Sequence, residues 1–156
     1  MIILDLDNTI ANDGWRIKKI NWKQNDPFLR YHDYHSLSAF DAVGNADLFK
    51  NKHEIIVLTA RPVFYRSITE EWLRRVGVDV MFLLMRNNGD HTHSRELKRE
   101  QLHSLFTHYG VKKTDIFCAY DDREDVVQMY REEGIVSQRR WIHEVCSYTK
   151  PIGEIA

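Results

Sequence analysis

The stretch LDLDNTIAND, residues 4–13, follows three apolar residues at the start of the chain. An unbroken apolar run of this kind favours a strand that is covered on both faces of a sheet. The run ends, however, in two carboxylates, Asp5 and Asp7, separated by one leucine. An ionised carboxylate in an apolar setting is costly unless a metal ion, a cation or a proton accompanies it. The rest of the sequence must therefore supply a partner for this acidic pair.

The composition fits a single soluble domain over residues 1–156, with 43% hydrophobic and 29% charged residues. The formal net charge of −1 argues against a protein that coats nucleic acid non-specifically, although it leaves a local basic patch open. No run approaches the roughly 18 apolar residues of a membrane span, and the run before Asp5 is too short for a signal peptide. We therefore expect a cytoplasmic protein, in the host cytoplasm if a phage encodes it, without a membrane partner.

Four apolar runs have the length of strands and lie at residues 1–6, 55–58, 80–85 and 116–120. Elsewhere apolar residues recur with helical spacing in three segments, which end at Gly77, Gly110 and Gly134. Strands that alternate with helices predict a central parallel sheet with right-handed crossovers, an α/β Rossmann-like three-layer sandwich. The two cysteines, Cys118 in the fourth strand and Cys146, lack the spacing of a disulfide framework or metal site and are expected as reduced thiols.

Residues 14–51 interrupt this alternation. The segment is rich in aromatic and charged residues, and we interpret it as a small insertion after the first strand, a minimal cap with a helix near residues 38–50. The run at residues 28–34 is expected to pack the insertion on the core. At residues 15–23, WRIKKINWK mixes tryptophans with basic residues, as surfaces that bind single-stranded nucleic acid do. Packing of the same aromatic residues on the core is an equal alternative.

Polar side chains follow the predicted strands. Four of them are acids: Asp5, Asp7, Asp121 and Asp122. Ligands of open α/β sheets bind at the carboxyl ends of the strands. If the first and fourth strands are neighbours, the acids converge into an oxygen-rich pocket that suits Mg²⁺.

Cations are also expected at this edge of the sheet. Arg61 and Arg86 follow the second and third strands, and Lys98 begins a later helical segment. Together they bring more positive charge than ion pairing around a metal would require. A phosphate group accounts for the surplus, because Mg²⁺ with Arg or Lys side chains stabilises phosphoryl transfer.

Four motifs resemble, in order and spacing, those of haloacid dehalogenase-like phosphatases: DLDNT at 5–9, LTAR at 58–61, Lys98, and YDDR at 120–123. The resemblance covers the whole chain. Within this superfamily the chain is most similar to the 3′-phosphatase domain of phage polynucleotide kinase-phosphatase, through RNNGD at 86–90 and DDREDVVQMYR at 121–131. No G-x-x-x-x-G-K-[ST] loop occurs in the sequence, so a kinase half is not expected.

The resemblance implies a Mg²⁺-dependent phosphomonoesterase with an aspartyl-phosphate intermediate. Asp5 would attack phosphorus, and Asp7 would protonate the leaving alcohol and then deprotonate the hydrolytic water. The metal would be held by Asp5, the backbone carbonyl of Asp7 and Asp121, with Asp122 directly or through water. Thr59 would donate its hydroxyl to the phosphoryl group. The substrate would be a phosphorylated nucleotide or, by preference, a 3′-phosphorylated polynucleotide end, in nucleic acid repair.

The resemblance also assigns substrate binding to three arginines and reveals two departures. Arg16, Arg61 and Arg86 match functional arginines of the phage domain, and Lys98 would offset the charge of nucleophile and phosphate. Asn8 stands where many members have glycine, a mild change because Asn tolerates positive φ. Ser94 stands where the phage domain has an acidic residue, which changes the surroundings of the lysine four positions later.

Other interpretations of these features follow from the residues. A nucleotidase acting on free nucleoside monophosphates, or a catalytically silent nucleic-acid-binding module of the same fold, is the alternative function. A sugar-phosphate mutase or another phosphotransferase is a lesser one. The histidine pairs at 32 and 35 and at 91 and 93 lack a second ligand cluster, so surface or loop positions are favoured over a metal site.

Overall fold

The computed structural model describes residues 1–144. Five strands form a parallel sheet: β1 Ile2–Leu4, β4 Ile55–Pro62, β5 Val80–Arg86, β6 Cys118–Asp121 and β7 Ser137–Arg139. Their order across the sheet is β5-β4-β1-β6-β7. The strand β1 is central, and its Ile3 pairs with Ile56 of β4 and Ala119 of β6. The first and fourth predicted strands are therefore neighbours, as the convergence of the acids requires.

Helices cover both faces of this sheet, which confirms the three-layer α/β fold. The helices are α1 Pro27–Ser36, α2 Arg66–Val76, α3 Ser94–His108 and α4 Glu124–Glu132. On one face Ile3 packs in a buried cluster with Leu102 of α3 and Val126 of α4. On the other face Leu4 packs with Trp72 of α2. Burying each such side chain contributes about 1.5–3 kcal/mol. Because successive residues of β1 point to opposite faces of the sheet, their burial stabilises the helix layers on both faces.

The end of α2 illustrates how the predicted helix limits arise. Gly77 has a φ of 81°, a left-handed conformation that side chains with a Cβ rarely adopt. There the backbone N–H of Val78 donates to the carbonyl of Leu73 at 2.9 Å. The predicted helix ends near Gly77, Gly110 and Gly134 agree with the structure within two residues.

The insertion differs from its prediction. The helix expected near residues 38–50 is wrong: two single 3₁₀ turns, Ser38–Phe40 and Ala46–Leu48, flank the short strand β3 Ala42–Val43. Between those turns Asn45 adopts a left-handed φ of 49°, which breaks helical continuity. The helix of the insertion is α1, where Pro27 occupies the first turn and the Asp26 side chain accepts from the N–H of Phe28 at 2.9 Å.

Two further elements lay outside the sequence predictions. A two-residue strand β2, Ala11–Asn12, pairs with β3 in an antiparallel ribbon beside the first loop. The edge strand β7 was not predicted, because its sequence SQR is polar and exposed and has no strand pattern.

The structure bears on two composition-based predictions. Cys118 is a buried free thiol in β6, as expected, and Cys146 lies outside the described residues. Among the helices in residues 1–144, none is long and apolar enough to cross a bilayer.

Candidate active site

The carboxyl ends of β1, β4 and β6 bring the predicted acids and Thr59 to one edge of the sheet. A small cavity there is lined by Asp5, Asp7, Thr59, Lys98 and Asp122. Lys98 reaches the same place from the first turns of α3 and is almost entirely buried. Residues that are up to 117 positions apart in the sequence thus surround one point. This grouping is the one that the sequence analysis expected.

The loop after β1 is held by its own backbone. The carbonyl of Leu6 accepts hydrogen bonds from the N–H groups of Thr9, Ile10 and Ala11, at 2.9–3.0 Å. Asn8 adopts the left-handed φ of 65° that its alignment with glycine suggested. The hydroxyl of Thr9 donates to Oδ2 of Asp5 at 2.8 Å, so the loop also orients the first carboxylate.

Three carboxylates form the group that could hold a metal. Oxygens of Asp5, Asp121 and Asp122 lie within 4.8 Å of one another. Burial, together with the charge of Asp5, raises the pKa of Asp121 to about 6 and that of Asp122 well above its usual range. This excess of negative charge and oxygen ligands is what a divalent cation such as Mg²⁺ neutralises, so the residues fit the predicted metal.

Lys98 already offsets part of this charge. Its Nζ donates to Oδ1 of Asp5 at 2.7 Å and also to Oδ2 of Asp121. Burial opposes the charged amine, but Asp121 and Asp5 raise the pKa of Lys98 well above its usual value. The helix that carries it is tied to β4, because the side-chain amide of Gln101 donates to the carbonyl of Thr59 at 3.0 Å. Lys98 is therefore a fixed cation beside Asp5.

Asp7 lies between two buried guanidiniums. Arg61 donates from Nη2 to Oδ1 at 2.7 Å and from Nε to Oδ2 at 3.1 Å, and Arg16 donates from Nη2 to Oδ1. Burial favours the neutral acid, yet the two guanidiniums together lower the pKa of Asp7 far below its usual range. Asp7 is consequently held as a carboxylate in a fixed orientation.

Asp41 completes this ion cluster and was missed by the sequence analysis. Its oxygens accept from Nε of Arg16 at 2.9 Å and from Nη2 of Arg16 at 2.7 Å. The guanidinium of Arg16 also lies 4.2 Å from the centre of the Tyr34 ring. Asp41 lies 34 residues after Asp7, in the insertion, and no motif in the sequence marks it. The insertion thus contributes two charged residues that orient Asp7.

Substrate binding by Arg16 and Arg61 stays a prediction. Both side chains are 0% exposed and are occupied by carboxylates of the protein itself. Because both guanidiniums donate to Asp7, we expect them to position this carboxylate and not to touch the substrate directly. A sequence motif cannot distinguish these two roles, since a guanidinium forms the same bidentate pair with a carboxylate as with a phosphate.

Arg86 lies at the wall of a larger adjacent cavity. Its Nε donates to the carbonyl of Ala60 at 3.0 Å, and its Nη1 donates to the carbonyls of Asp90 at 3.1 Å and Thr92 at 2.6 Å. These bonds connect β5 to the end of β4 and to the following loop. Substrate binding by Arg86 stays a prediction.

In the basic stretch at residues 15–23, some side chains pack within the protein and others face solvent, so neither of the two interpretations describes the whole stretch. Arg16 is buried in the ion cluster, and the Trp15 indole N–H donates to Asp41 at 2.9 Å. Trp22 packs edge-on against Tyr31 at 5.9 Å. Lys18 and Lys19, in contrast, are exposed. Trp22 therefore packs, whereas Trp15 is 43% exposed and these lysines face solvent.

The histidine pairs are not part of the metal-compatible group found among the described residues. The group of metal-compatible side chains found in residues 1–144 contains acids alone. His32 Nδ1 lies 2.7 Å from the hydroxyl of Tyr65, and His35 is buried. His32 and His35 contribute to packing around α1.

Asn8 links the loop after β1 to the end of the described chain, which the sequence also did not indicate. Its side-chain amide donates to Asp122 at 3.1 Å and to the carbonyl of His143 at 2.8 Å. Its Oδ1 accepts from the N–H groups of Ile142 and His143. The residues after β7 thus brace the loop that carries Asp7.

Comparison with known proteins identifies the family of this chain. A family model described as the phosphatase domain of polynucleotide kinase PNKP matches residues 1–139. The chain belongs to this family. The PNKP phosphatase domain is haloacid dehalogenase-like, which confirms the predicted superfamily and phosphatase class. None of the curated protein sequences matches the chain.

Solved structures extend the comparison. A chain of the Pnkp1/Rnl/Hen1 RNA repair complex is 26% identical with a TM-score of 0.65, covering 88% of this chain and 41% of that one. The chain described here thus spans less than half the length of that neighbour. A haloacid dehalogenase-like hydrolase of Streptococcus pneumoniae is 10% identical, with a TM-score of 0.60 and coverages of 87% and 81%. A Bacteroides thetaiotaomicron enzyme of the same superfamily, in complex with magnesium and inorganic phosphate, is 13% identical, with a TM-score of 0.51 and coverages of 88% and 92%.

Proposed function

We propose that this phosphatase is Mg²⁺-dependent, forms an aspartyl phosphate on Asp5, and removes the 3′-phosphate from polynucleotide ends. The observation that carries the proposal is the position of Asp5. It shares a cation-binding group with Asp121 and Asp122, accepts a hydrogen bond from Lys98, and lines the same small cavity as Asp7. A nucleophile, a cation site and a proton carrier are thus adjacent.

The roles follow from these contacts. A carboxylate oxygen of Asp5 forms a bond to phosphorus while the bond between phosphorus and the 3′ oxygen breaks, and the leaving oxygen takes a proton from Asp7. Water then attacks phosphorus, its proton goes to Asp7, and the bond to Asp5 breaks. Asp5, the carbonyl of Asp7, Asp121 and Asp122 would hold Mg²⁺, which would supply positive charge to the phosphoryl oxygens.

The surroundings of Asp7 favour one of its two proposed roles, accepting a proton from water, over the other, donating a proton to the leaving group. The guanidiniums of Arg16 and Arg61 stabilise the ionised form, which is the form that accepts a proton from water. Donation to the leaving group requires the protonated form, which the same ion pairs disfavour. The first step is therefore the more demanding one for a substrate whose leaving oxygen is strongly basic, such as a ribose 3′ hydroxyl.

Thr59 and Lys98 complete the phosphoryl site. The Oγ1 of Thr59 accepts from the N–H of Arg61 at 3.2 Å, which leaves its own hydroxyl proton for a phosphoryl oxygen. Lys98 provides a second positive charge beside Asp5. Both side chains are buried at the end of β4 and the start of α3, so they are ordered before substrate arrives.

The polynucleotide substrate is supported by the family and by the RNA repair complex that contains a 26% identical chain. A comparison of three substrates tests it: a 3′-phosphorylated oligonucleotide, its 5′-phosphorylated isomer and free nucleoside monophosphates, each with Mg²⁺. The proposal predicts the fastest phosphate release from the 3′-phosphorylated oligonucleotide and none from any substrate with Asp5→Asn. Equal or faster release from free monophosphates would favour the nucleotidase alternative. Failure to release phosphate from all three would refute the proposed activity.

A further inference from the structure

A cavity of about 600 Å³ adjoins the catalytic centre. Three residues, Ala60, Ser94 and Arg123, line both this cavity and the small one that contains Asp5 and Asp7. Its walls come from α1 of the insertion, the end of β4 and residues 86–93. The volume falls in the range of 300–1,000 Å³ that is usual for small-molecule sites. A group attached to a phosphate at Asp5 would therefore extend into this space.

One wall of the cavity is aromatic. Phe28, Tyr31 and His35 of α1 and Tyr65 after β4 all line it. The rings of Phe28 and Tyr65 lie within 19° of parallel, with centroids 6.1 Å apart. His35 lies 5.0 Å from Tyr65. Planar, polarisable surfaces of this kind stack on nucleobases of any sequence.

The His35 ring contributes to this wall as a neutral aromatic group. It is buried, and burial lowers its pKa to about 3 although the charge of Asp7 opposes the shift. The nearby guanidiniums of Arg16, Arg61 and Arg86 also lower it. At physiological pH the wall therefore carries no charge on this ring.

Another part of the cavity wall is polar. Asn87, Asp90 and His91 line it, and Arg86 holds this loop through the carbonyls of Asp90 and Thr92. An amide, a carboxylate and an imidazole offer both donors and acceptors, which the edge of a base requires. Arg30 and Arg123 add guanidinium groups to the lining, which favour a ligand that carries phosphate.

From this arrangement we infer that the cavity binds the terminal nucleoside of the substrate, with its base stacked on Phe28 and Tyr31, which pack on the buried rings of Tyr65 and His35. The inference rests on the proposed function and adds to it: the enzyme reads one base next to the phosphate, so a 3′-phosphorylated end without that base is a poor substrate. An aryl ring alone would leave most of the volume and the polar wall unused. A phosphotyrosine peptide is therefore the less favoured occupant.

The test compares two oligonucleotides of one sequence, each 3′-phosphorylated, of which one carries an abasic sugar at its last position. Stacking contributes about 1–3 kcal/mol per base, so wild-type kcat/KM should favour the normal end about ten-fold or more. In Phe28→Ala this ratio should approach one. Phe40→Ala is the matched control, because Phe40 is 72% exposed and lies outside the cavity lining. It should keep the wild-type ratio.

Using a ratio separates recognition from general damage, since misfolding lowers both rates together. A wild-type ratio near one would overturn the inference, and so would an unchanged ratio in Phe28→Ala. Faster turnover of a phosphotyrosine peptide than of the normal oligonucleotide would also overturn it.

A binding measurement separates this inference from the proposed function. Asp5→Asn protein should bind adenosine 3′-monophosphate at least ten-fold more tightly than inorganic phosphate in calorimetry. If this preference is found while wild-type protein releases no phosphate, the proposed activity fails and the base site stands. If wild-type protein is active and the preference is absent, the base site alone fails.

Discussion

Arg61 binds the carboxylate of Asp7 with two hydrogen bonds, 2.7 Å from Nη2 to Oδ1 and 3.1 Å from Nε to Oδ2. The pair joins the loop after β1 to the end of β4. The remaining Nη1 of Arg61 donates to the hydroxyl of Thr69 in α2 at 3.1 Å, so the guanidinium itself is fixed. The orientation of the proposed proton carrier therefore depends on a residue that is itself fully buried.

Replacing Arg61 by lysine should lower kcat on a 3′-phosphorylated oligonucleotide about 100-fold. Lysine keeps the charge but loses the bidentate geometry, and a displacement of about 1 Å in a reacting group has costs of this order. KM should change much less, because we expect the fully buried Arg61 not to touch the substrate. Steady-state kinetics measure both. Arg66→Lys, at a partly exposed arginine in α2, is the control; a rise in KM without a loss of kcat in Arg61→Lys would support direct substrate contact.

Asp7→Asn should discriminate between leaving groups. With a 3′-phosphorylated oligonucleotide, formation of the phosphoenzyme should slow by about 10²–10⁴-fold, because the leaving alkoxide needs a proton. With p-nitrophenyl phosphate the same step should slow less, since p-nitrophenolate leaves without protonation. Single-turnover measurements compare the two substrates directly. Equal losses on both would show that Asp7 does not protonate the leaving group.

Mg²⁺ should stabilise the folded protein, and more so at pH 7.5 than at pH 5. Asp121 has a pKa raised to about 6, so below that pH protons compete with the metal for the cluster. At a concentration of 100 times Kd the gain is about 2.7 kcal/mol, and chelation should reverse it. Thermal unfolding with and without Mg²⁺ measures the effect. Asp121→Asn should lose most of it and the exposed Asp79→Asn should retain it; identical shifts in both variants would place the metal elsewhere.

His35 should make stability depend on pH. The unfolded chain protonates this histidine below about pH 6.5, whereas the folded protein does so only near its lowered pKa of about 3. Because the unfolded state binds the proton first, stability falls as the pH drops below about 6.5. Between pH 6.5 and 5 the loss from this group is about 1.5 kcal/mol. In His35→Phe, which keeps a ring, urea unfolding should show a decline smaller by that amount; parallel curves would contradict it.

The acid constellation was predictable from sequence because parallel strands end at one edge of a sheet. Once β1 and β6 are neighbours, Asp5 and Asp121 must approach, whatever the rest of the chain does. The glycines that follow helical periodicities fixed the helix ends for a similarly local reason. These features depend on short segments and on general rules of sheet topology.

The insertion was harder to predict because its structure depends on partners distant in sequence. Aromatic side chains crowd residues 28–34 without a clean apolar stripe, so α1 lacked a helical pattern, although Asp26 and Pro27 gave a start signal. Asp41 acquires its role only through Arg16, 25 residues earlier. The burial of Arg16 was equally hidden, since nothing in its neighbourhood shows whether its partner is a carboxylate or a phosphate.

Trapping of the covalent intermediate tests the central claim most directly. Wild-type protein is mixed with Mg²⁺ and p-nitrophenyl [³²P]phosphate, whose leaving group needs no proton, then quenched in acid within milliseconds, digested and mapped. The account predicts label on the peptide that contains Asp5, more of it in Asp7→Asn with p-nitrophenyl [³²P]phosphate, and none in Asp5→Asn. Release of phosphate at the wild-type rate by Asp5→Asn, or label on a different residue, would contradict it.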